Sequence, residues 1–307
     1  MNTRRRSVAL AFSMTVLFWL LLDAGDMRRA VAEGISLSLE SVIPALFPFL
    51  AVSSLVMELG LGEWAERRLG WFMALWGLPG SAASALLMGL VGGYPLGART
   101  AAELKRQSLL TREEAERLLT FCNNANPAFF LSVLGAGVFT STRTGLWLWL
   151  IHLAAALVTG LLLARPRGRS SLSAGCRRPP ACRAVRLSSA LVSAVRSAAS
   201  AMMGICAFVV FFFGLTLPLR QLPGLAGTVL VGLAELFSLH PRLTADRTGF
   251  LLSAALSGWG GASVLCQTVA ALGDSGLSAA PCIRGKAIQA VVSLLLALLL
   301  APWVFPG

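Results

Sequence analysis

The sequence alternates between long apolar stretches and short segments that carry charged residues. The apolar stretches cover residues 8–22, 35–57, 146–164, 187–217, 225–239, 250–271 and 287–303. A helix needs roughly 20 predominantly apolar residues to cross the hydrocarbon core of a bilayer, and it satisfies its backbone hydrogen bonds internally while doing so. The pattern therefore predicts an all-α, polytopic membrane protein with about seven full spans.

One apolar region is interrupted by glycine and proline. Residues 71–76 and 81–91 are each too short to span a membrane, and a run of Gly and Pro follows at residues 92–97. These two short halves fit a re-entrant hairpin, which enters and leaves the membrane on one side. The predicted tip consists of Gly92, Gly93, Tyr94, Pro95 and Gly97.

A second glycine-rich interruption lies at the centre of the apolar stretch 250–271. It consists of Gly258, Trp259, Gly260 and Gly261. Short, glycine-interrupted segments at matching places in two halves of a chain point to a transporter site near the bilayer midplane. We therefore expect a second re-entrant hairpin here, as the partner of the first in an internal repeat.

The repeat divides the chain into four parts. These are an N-terminal span and loop at 1–34, a first half at 35–164, an Arg-rich linker at 165–186 and a second half at 187–307. The linker carries seven Arg and no acidic residue, which places it in the cytoplasm by the positive-inside rule. However, the count of spans puts both hairpins on the same side of the membrane, whereas an inverted repeat requires opposite sides.

A third break carries most of the polar side chains. Thr111 is predicted to cap a helix that runs into Phe-Cys-Asn-Asn-Ala-Asn-Pro at residues 121–127. Pro127 interrupts the helical hydrogen bonding, and several amide side chains inside one span are costly unless they have partners. Either they complete the broken backbone or they face a ligand; these residues are Asn123, Asn124 and Asn126.

Composition supports a membrane protein. The chain is 56% hydrophobic and 13% charged, and its mean hydropathy is +0.74. The basic residues behind the net charge of +12 concentrate in loops between apolar segments. That charge indicates topology and contact with lipid headgroups, and we predict no binding to nucleic acid. Of the 26 basic residues only Lys105 and Lys286 are lysines, which we interpret as codon bias without functional weight.

The sequence does not indicate metal or enzyme chemistry. The six cysteines form no C-x-x-C pair, and His152 and His240 are the two imidazoles. We therefore predict no metal site and no cofactor. The nucleophile motif G-x-S-x-G is absent, and neither histidine lies near a polar cluster of the sequence. The chain is accordingly predicted not to be an enzyme.

Several motifs together resemble one family. They are Pro44-x3-Pro48-Phe, Gly93-Tyr-Pro-x-Gly-Ala98, the break that ends at Asn126-Pro127, Glu235-Leu, and Ser257-Gly-Trp-Gly-Gly with Gln267. In this order they resemble the sporulation integral membrane proteins of the YlbJ type, which belong to the nucleoside-recognition, or Gate-domain, family. The resemblance extends over residues 35–300.

The resemblance implies a fold related to the concentrative nucleoside transporters, with a hairpin and a broken helix in each half around a central site. It places polar ligand contacts at Asn123, Asn124, Glu235 and Gln267. It also implies a role in endospore formation, where a protein of this type is thought to move dipicolinic acid toward the forespore. The implied location is the outer forespore membrane of a sporulating bacterium.

These observations predict a carrier or facilitator for a small anionic or heteroaromatic solute. Tyr94 and Trp259 offer rings for stacking, and Arg99 offers a cation for a carboxylate. Each of the three is equally well explained as an interface anchor or a topology charge. The candidate coupling ions are H⁺ and Na⁺, and both lipid contact and homo-oligomer formation are compatible with this function.

Two alternatives stay open at the level of sequence. One is a nucleoside-type transporter, and the other is a non-transporting scaffold subunit with a Gate domain. An ion-coupled carrier should not tolerate neutralisation of Glu40 or Glu235, whereas a scaffold should.

Overall fold

The structure, a computed structural model, describes residues 3–164 and 186–305. The predicted Arg-rich linker at 165–186 lies almost entirely outside the described residues. All regular secondary structure in the described ranges is helical. The prediction of an all-α, polytopic membrane protein is confirmed.

The first part of the chain contains eight α-helices: α1 Thr3–Leu22, α2 Ala24–Leu37, α3 Ile43–Val56, α4 Gly62–Leu69, α5 Ala82–Val91, α6 Leu96–Arg106, α7 Arg112–Leu118 and α8 Thr142–Leu162. Segments of π-helix lie at Ser38–Val42, Met57–Leu61 and Phe129–Val138, and a 3-10 helix at Phe72–Trp76. The second part contains α9 Leu187–Leu215, α10 Leu217–Arg220, α11 Gly224–Ala234, α12 Arg247–Trp259, α13 Gly261–Leu272 and α14 Ala280–Val304, with 3-10 helices at Phe237–Arg242 and Gly273–Ser275.

Five helical stretches in the described ranges are long and apolar enough to cross a membrane: Ala24–Leu69, α8, α9, Arg247–Ser275 and α14. Four apolar helices are shorter: Arg6–Leu22 within α1, α5, Phe129–Val138 and α11. The sequence-based count of about seven spans is higher, because it included residues 8–22 and 225–239, whose helices Arg6–Leu22 and α11 are both shorter than a full span. The structure ends α11 at Ala234 and turns the chain there.

The first re-entrant hairpin, hairpin 1, is formed by α5 and α6, which pack against each other. At 1.5 Å of rise per residue, the ten residues of α5 reach only about half of the hydrocarbon thickness. Gly89 and Gly97 allow the arms to meet, because a Cβ on Gly97 would lie 2.8 Å from the Cα of Gly89. The tip lies where the sequence predicts it, but the predicted arms are only half right. Residues 81–91 correspond to α5, whereas the other arm is α6 and not residues 71–76, which contain a separate 3-10 helix.

The second hairpin lies elsewhere than predicted. Hairpin 2 consists of α11 and the 3-10 helix Phe237–Arg242, which pack together with the tip at Glu235. Its two feet are joined because the guanidinium of Arg242 donates to the carbonyl oxygens of Arg220 and Leu222, at 2.8 and 2.7 Å. The chain therefore returns to the side from which α11 entered.

The glycine-rich segment at residues 258–261 is instead a break in a spanning helix. Gly260 and Gly261 both have φ of +86°, and the helices on either side diverge. Helix α12 packs against α14 and α8, whereas α13 packs against α6, α9 and α11. The prediction of a hairpin here is wrong because two glycines with positive φ fit a helix break as readily as a hairpin tip.

The two hairpins enter from opposite ends of the helix bundle. At one end, Lys105 at the foot of hairpin 1 donates to the carbonyl oxygen of Ser275 at 2.8 Å. At the other end, the side chain of His240 from hairpin 2 lies against Gly137, near the aromatic cluster of Phe139 and Phe250. The count of spans placed both hairpins on the same side of the membrane because it counted residues 225–239 as a full crossing.

Candidate functional site

The polar break predicted at residues 121–127 lies in the bundle interior. Helix α7 begins with the expected capping box, in which the Thr111 hydroxyl accepts from the amide of Glu114. Helical hydrogen bonding then stops before residue 123 and resumes at Phe129–Val138. The three Asn side chains of this segment are all buried.

Each Asn side chain has a different role in the break. Asn126 caps the second helical segment, since its Oδ1 accepts from the amide of Phe129 at 2.9 Å. Asn123 ties the break to α13, because its Nδ2 donates to the Thr268 hydroxyl at 2.7 Å. Asn124 donates to the carbonyl oxygen of Phe121 at 2.7 Å and leaves its Oδ1 to accept from other helices.

The acceptor of Asn124 faces a buried lysine. Lys286 Nζ lies 3.3 Å from Asn124 Oδ1 and 2.8 Å from Gln289 Oε1. Gln289 Nε2 also donates to Asn124 Oδ1 at 3.0 Å. Lys286 is 1% exposed, and no ion pair of the described residues includes it. We name Lys286, Asn124, Gln289, His152 and Tyr94 the lysine cluster.

His152 belongs to this cluster, which corrects the expectation that neither histidine lies near polar groups. Its Nε2 lies 3.4 Å from Gln289 Nε2 and accepts from the amide of Ala125 at 3.3 Å. The sequence could not show this, because α8 is apolar around His152 and its polar neighbours come from residues more than 130 positions away or from a broken backbone.

Tyr94 joins the tip of hairpin 1 to the lysine cluster. Its hydroxyl oxygen lies 3.5 Å from Lys286 Nζ, which also sits 5.1 Å from the centroid of the ring. The same hydroxyl donates to the carbonyl oxygen of Ser257 at 3.4 Å. Gly260 permits this contact, since a Cβ there would lie 2.9 Å from the Tyr94 oxygen. Tyr94 therefore connects the tip of hairpin 1 with the break in α12–α13 and with α14.

Gly93 closes the hairpin tip onto the Asn break. It has φ of +83°, and a Cβ on it would lie 2.8 Å from Asn126 Cβ. Gly92 and Pro95 are the neighbouring tip residues, and Gly258 packs against α14, where a Cβ would lie 2.8 Å from the Cα of Ala290. The predicted glycines therefore shape the site without offering it polar atoms.

Besides Asn123, Asn126 and Glu235, three further predicted contact residues lie outside the lysine cluster. The indole of Trp259 donates to the carbonyl oxygen of Leu233 at 2.9 Å, so this ring packs on hairpin 2 and not beside Tyr94. Arg99 is exposed and lines a cavity of about 300 Å³ between α6, α9 and α13. Gln267 is buried, bonds to Ser263 at 3.4 Å, and lines that cavity as well.

A small central cavity connects the two hairpin tips. It has a volume of about 30 Å³, and its lining includes Tyr94, Asn126, Leu236, Phe237 and Gln267. Tyr94 comes from hairpin 1, whereas Leu236 and Phe237 follow the tip of hairpin 2. This volume suffices for about one water molecule, so the cavity is closed around a very small space.

Glu235 forms the tip of hairpin 2 and does not join the lysine cluster. The carboxylate is fully buried, and its Oε2 accepts from the amide of Ser238. Gly261 lies against this tip, since a Cβ on it would lie 3.4 Å from the Cα of Glu235. Among the described residues, no three His, Cys, Asp or Glu side chains are grouped so that they could hold a metal ion.

Lys286 is the residue that sequence analysis missed. It is the one basic side chain described here as fully buried, and the chain has only two lysines. A lysine that interrupts a 25-residue apolar helix is expensive unless it lines a site. That signal was present, but the apolar stretch predicted at residues 287–303 begins one residue later, and the two lysines were interpreted as codon bias.

Comparison with known proteins supports the family. The family model described as Gate, nucleoside recognition, matches residues 39–142. The chain is 34% identical over 142 residues to the sporulation integral membrane protein YlbJ of Bacillus subtilis (strain 168), an alignment that covers 46% of this chain and 35% of the relative. No solved structure matches the chain. The matched residues 39–142 contain hairpin 1 and the Asn break, and the resemblance to YlbJ-type proteins indicated by the sequence motifs is confirmed.

Proposed function

We propose that this membrane protein carries a small anionic or heteroaromatic solute, which binds at the lysine cluster. The observation that supports this function best is the environment of Lys286. Its ammonium is buried among neutral partners, and among the described residues no carboxylate pairs with it. An uncompensated charge inside a membrane protein costs several kcal/mol, and an anionic solute supplies the missing charge.

The neutral partners of Lys286 suit recognition of a flat, polar ring. Asn124 and Gln289 hold the ammonium from one side, and both carry amide groups able to bond to a carboxylate. The Tyr94 ring lies beside the ammonium and offers an aromatic face for stacking. The chemical class favoured by this arrangement is an aromatic carboxylate.

The geometry also defines what must move. The central cavity is far too small for a ring-sized solute, and the tips of both hairpins line it. Binding therefore requires the tip of hairpin 1 to separate from the break in α12–α13, where Tyr94 contacts Ser257 and Gly260. Alternate opening of two hairpins from opposite ends would give access first from one side and then from the other.

Dipicolinate is the solute that we propose to test first. The relative is named a sporulation protein, and dipicolinate combines an aromatic ring with two carboxylates. Uridine, which the Gate description suggests as comparison, carries no charge at neutral pH and would leave Lys286 unpaired. The proposed setting is the outer forespore membrane.

The decisive experiment measures uptake of radiolabelled dipicolinate and of uridine into proteoliposomes that carry the purified protein. We expect saturable uptake of dipicolinate. Lys286→Gln should lower it about 100-fold, because loss of one partner of a buried charge contact typically costs 2–5 kcal/mol. The control is Arg284→Gln, which removes an exposed positive charge two residues away on the same helix and should leave uptake unchanged.

Other outcomes would lead to different conclusions. Uptake of uridine alone would favour a nucleoside-type transporter and contradict the role of Lys286 as anion partner. Absence of uptake for both solutes would favour the non-transporting scaffold. Equal loss of uptake in the Gln variants at 284 and 286 would mean that charge on α14 acts generally and not at a binding site.

A further inference from the structure

Glu235 is a fully buried acidic residue, and it lies apart from Lys286. It ends α11 with extended dihedral angles, φ −149° and ψ 125°, and its side chain turns back onto the start of the 3-10 helix. The Ser238 amide donates to Oε2, and the amides of Leu236 and Phe237 lie beside the same carboxyl group. One oxygen is therefore held by the backbone.

The other carboxyl oxygen has no partner. Glu235 Oε1 is buried and forms no hydrogen bond. The buried Ser238 hydroxyl is the polar side chain that lies beside the same carboxyl group. A bare carboxylate oxygen in an apolar interior is costly. A proton on Oε1 removes the charge while Oε2 keeps its backbone donors.

No charged side chain on the surrounding elements compensates Glu235. On its own hairpin, His240 lies against Gly137 at the open end, and Arg242 is bonded to the carbonyl oxygens of Arg220 and Leu222. Both side chains therefore belong to the feet of hairpin 2 and not to its tip.

The elements packed around hairpin 2 add no charge at the tip. Helix α11 and the segment Phe129–Val138 contain no titratable residue. Helices α9, α12 and α13 carry four titratable residues. Three of them are exposed: Arg196, Arg247 and Cys266. The fourth, Cys206, lines an apolar groove beside α2 and α3.

The position of Glu235 links it to the solute site. Leu236 and Phe237, the next two residues, line the central cavity together with Tyr94, and Tyr94 contacts Lys286. Gly261 of the break in α12–α13 packs on the same tip. Separation of the tips to admit a solute would therefore also change the surroundings of the carboxyl group.

We propose that Glu235 Oε1 is the proton-carrying atom of this carrier, binding a proton from water on one side of the membrane and releasing it on the other as the solute crosses. This inference rests on the proposed function and names its coupling ion. The site suits a metal cation less well than a proton. Hard cations take six or more oxygen ligands, whereas the oxygens without a hydrogen bond here are those of Glu235 and Ser238.

The test uses proteoliposomes with dipicolinate as the probe and the membrane potential clamped at zero. With the outside one pH unit more acidic, coupling to one proton drives accumulation of up to about 10-fold. We expect this for the wild type. Glu235→Gln mimics the protonated acid permanently, so it should lose pH-driven accumulation but still exchange external labelled for internal unlabelled dipicolinate at equal pH. Retained exchange also shows that the variant is folded.

Each outcome decides the proposal separately from the proposed function. Accumulation by Glu235→Gln equal to that of the wild type, or wild-type accumulation driven by a Na⁺ gradient and not by pH, overturns the proton site. Saturable wild-type uptake that ignores pH overturns it as well but leaves the carrier function intact. No wild-type uptake at all contradicts the carrier function itself.

A further variant covers loss of exchange in Glu235→Gln. Glu235→Asp keeps a carboxyl group at the tip and should retain both exchange and pH-driven accumulation. An Asp variant that exchanges dipicolinate without accumulating it under the pH gradient would overturn the proposal.

Discussion

At the scale of single residues, the two lysines of this chain show how burial decides the meaning of a charge. Lys105 lies at the foot of hairpin 1 and donates to Ser275 at the end of the bundle. Lys286 is buried and held by Asn124 and Gln289. The same residue type forms a contact at the end of the bundle in one place and is the proposed anion partner in the other, and only the structure distinguishes the two.

The electrostatic role of Lys286 leads to a prediction for Asn124. In Asn124→Asp, a carboxylate would replace an amide oxygen that lies 3.3 Å from Lys286 Nζ. This internal counterion should satisfy the lysine and compete with an anionic solute. We expect a folded protein whose dipicolinate uptake is lowered by more than about 10-fold, which corresponds to 1.4 kcal/mol of binding free energy.

The matched control for that variant is Asn124→Ala. Both substitutions remove the donor to the carbonyl oxygen of Phe121, but only Asp adds a charge. The Asp variant should therefore be thermally more stable than the Ala variant in detergent and yet transport dipicolinate less well. The opposite order of uptake would contradict an anion site at Lys286.

At the scale of elements, hairpin 1 depends on small residues at its closest contacts. A Cβ on Gly89 would lie 1.5 Å from the carbonyl oxygen of Cys122, and one on Gly97 would lie 2.2 Å from the same oxygen. Both arms therefore pack on the carbonyl group of Cys122, at the start of the Asn break. Hairpin and break form one packed unit.

This packing predicts that Gly89→Ala destabilises the protein. The added methyl must displace backbone, and overpacking of this kind typically costs 1–3 kcal/mol. The measurement is the temperature at which half of the detergent-solubilised protein loses its monodisperse elution peak, which should fall for Gly89→Ala.

Gly204→Ala is the control for general effects of alanine in a helix. Gly204 lies within α9, and a Cβ there would meet nothing within 4 Å. Its substitution should leave that temperature unchanged or raise it, by up to about 1 kcal/mol in stability. Equal responses of the two variants would mean that Gly89 is not at a close contact.

The sequence predicts hairpin 1 and the Asn break but not hairpin 2, because the residues that interrupt the apolar stretches differ between them. Hairpin 1 and the Asn break are visible because several Gly, Pro and Asn residues interrupt apolar stretches. Hairpin 2 is hidden because Glu235, where the chain turns, is the one charged residue within the apolar stretch 225–239. The lysine cluster is invisible as a unit, since its members come from α8, α14, hairpin 1 and the break, and only packing brings them together.

At the scale of the whole molecule, the chain repeats one order of elements. Hairpin 1 is followed by an interrupted helix, α7 with Phe129–Val138, and then by the long helix α8. Hairpin 2 is followed by the interrupted helix α12–α13 and the long helix α14. The tips of the two hairpins correspond, as do the Asn break and Gly260, which differs from the pairing of glycine-rich segments expected from sequence.

The repeat is inverted with respect to the membrane. Hairpin 1 opens at the end where Glu116 accepts from the amide of Ser278 at 3.0 Å, and hairpin 2 opens at the end where Phe250 and Phe305 pack at 5.6 Å. The end of α8, where the Arg-rich linker begins, shares a cavity with Glu116. By the positive-inside rule, we therefore expect hairpin 1 to open toward the cytoplasm.

This topology is testable with single introduced cysteines at exposed positions. Gln107 and Asp274 lie at the end where hairpin 1 opens, and Thr140 and Thr244 lie at the other. A membrane-impermeant maleimide applied to intact cells should label Thr140→Cys and Thr244→Cys above the level of the unsubstituted chain. Gln107→Cys and Asp274→Cys should react only after permeabilisation, because they would face the cytoplasm. The decisive pair is 107 and 244, which mark the feet of the two hairpins. Identical labelling of both positions would place the hairpins on one side of the membrane and contradict the inverted repeat. Labelling of position 107 but not 244 in intact cells would keep the repeat and reverse only its orientation in the membrane.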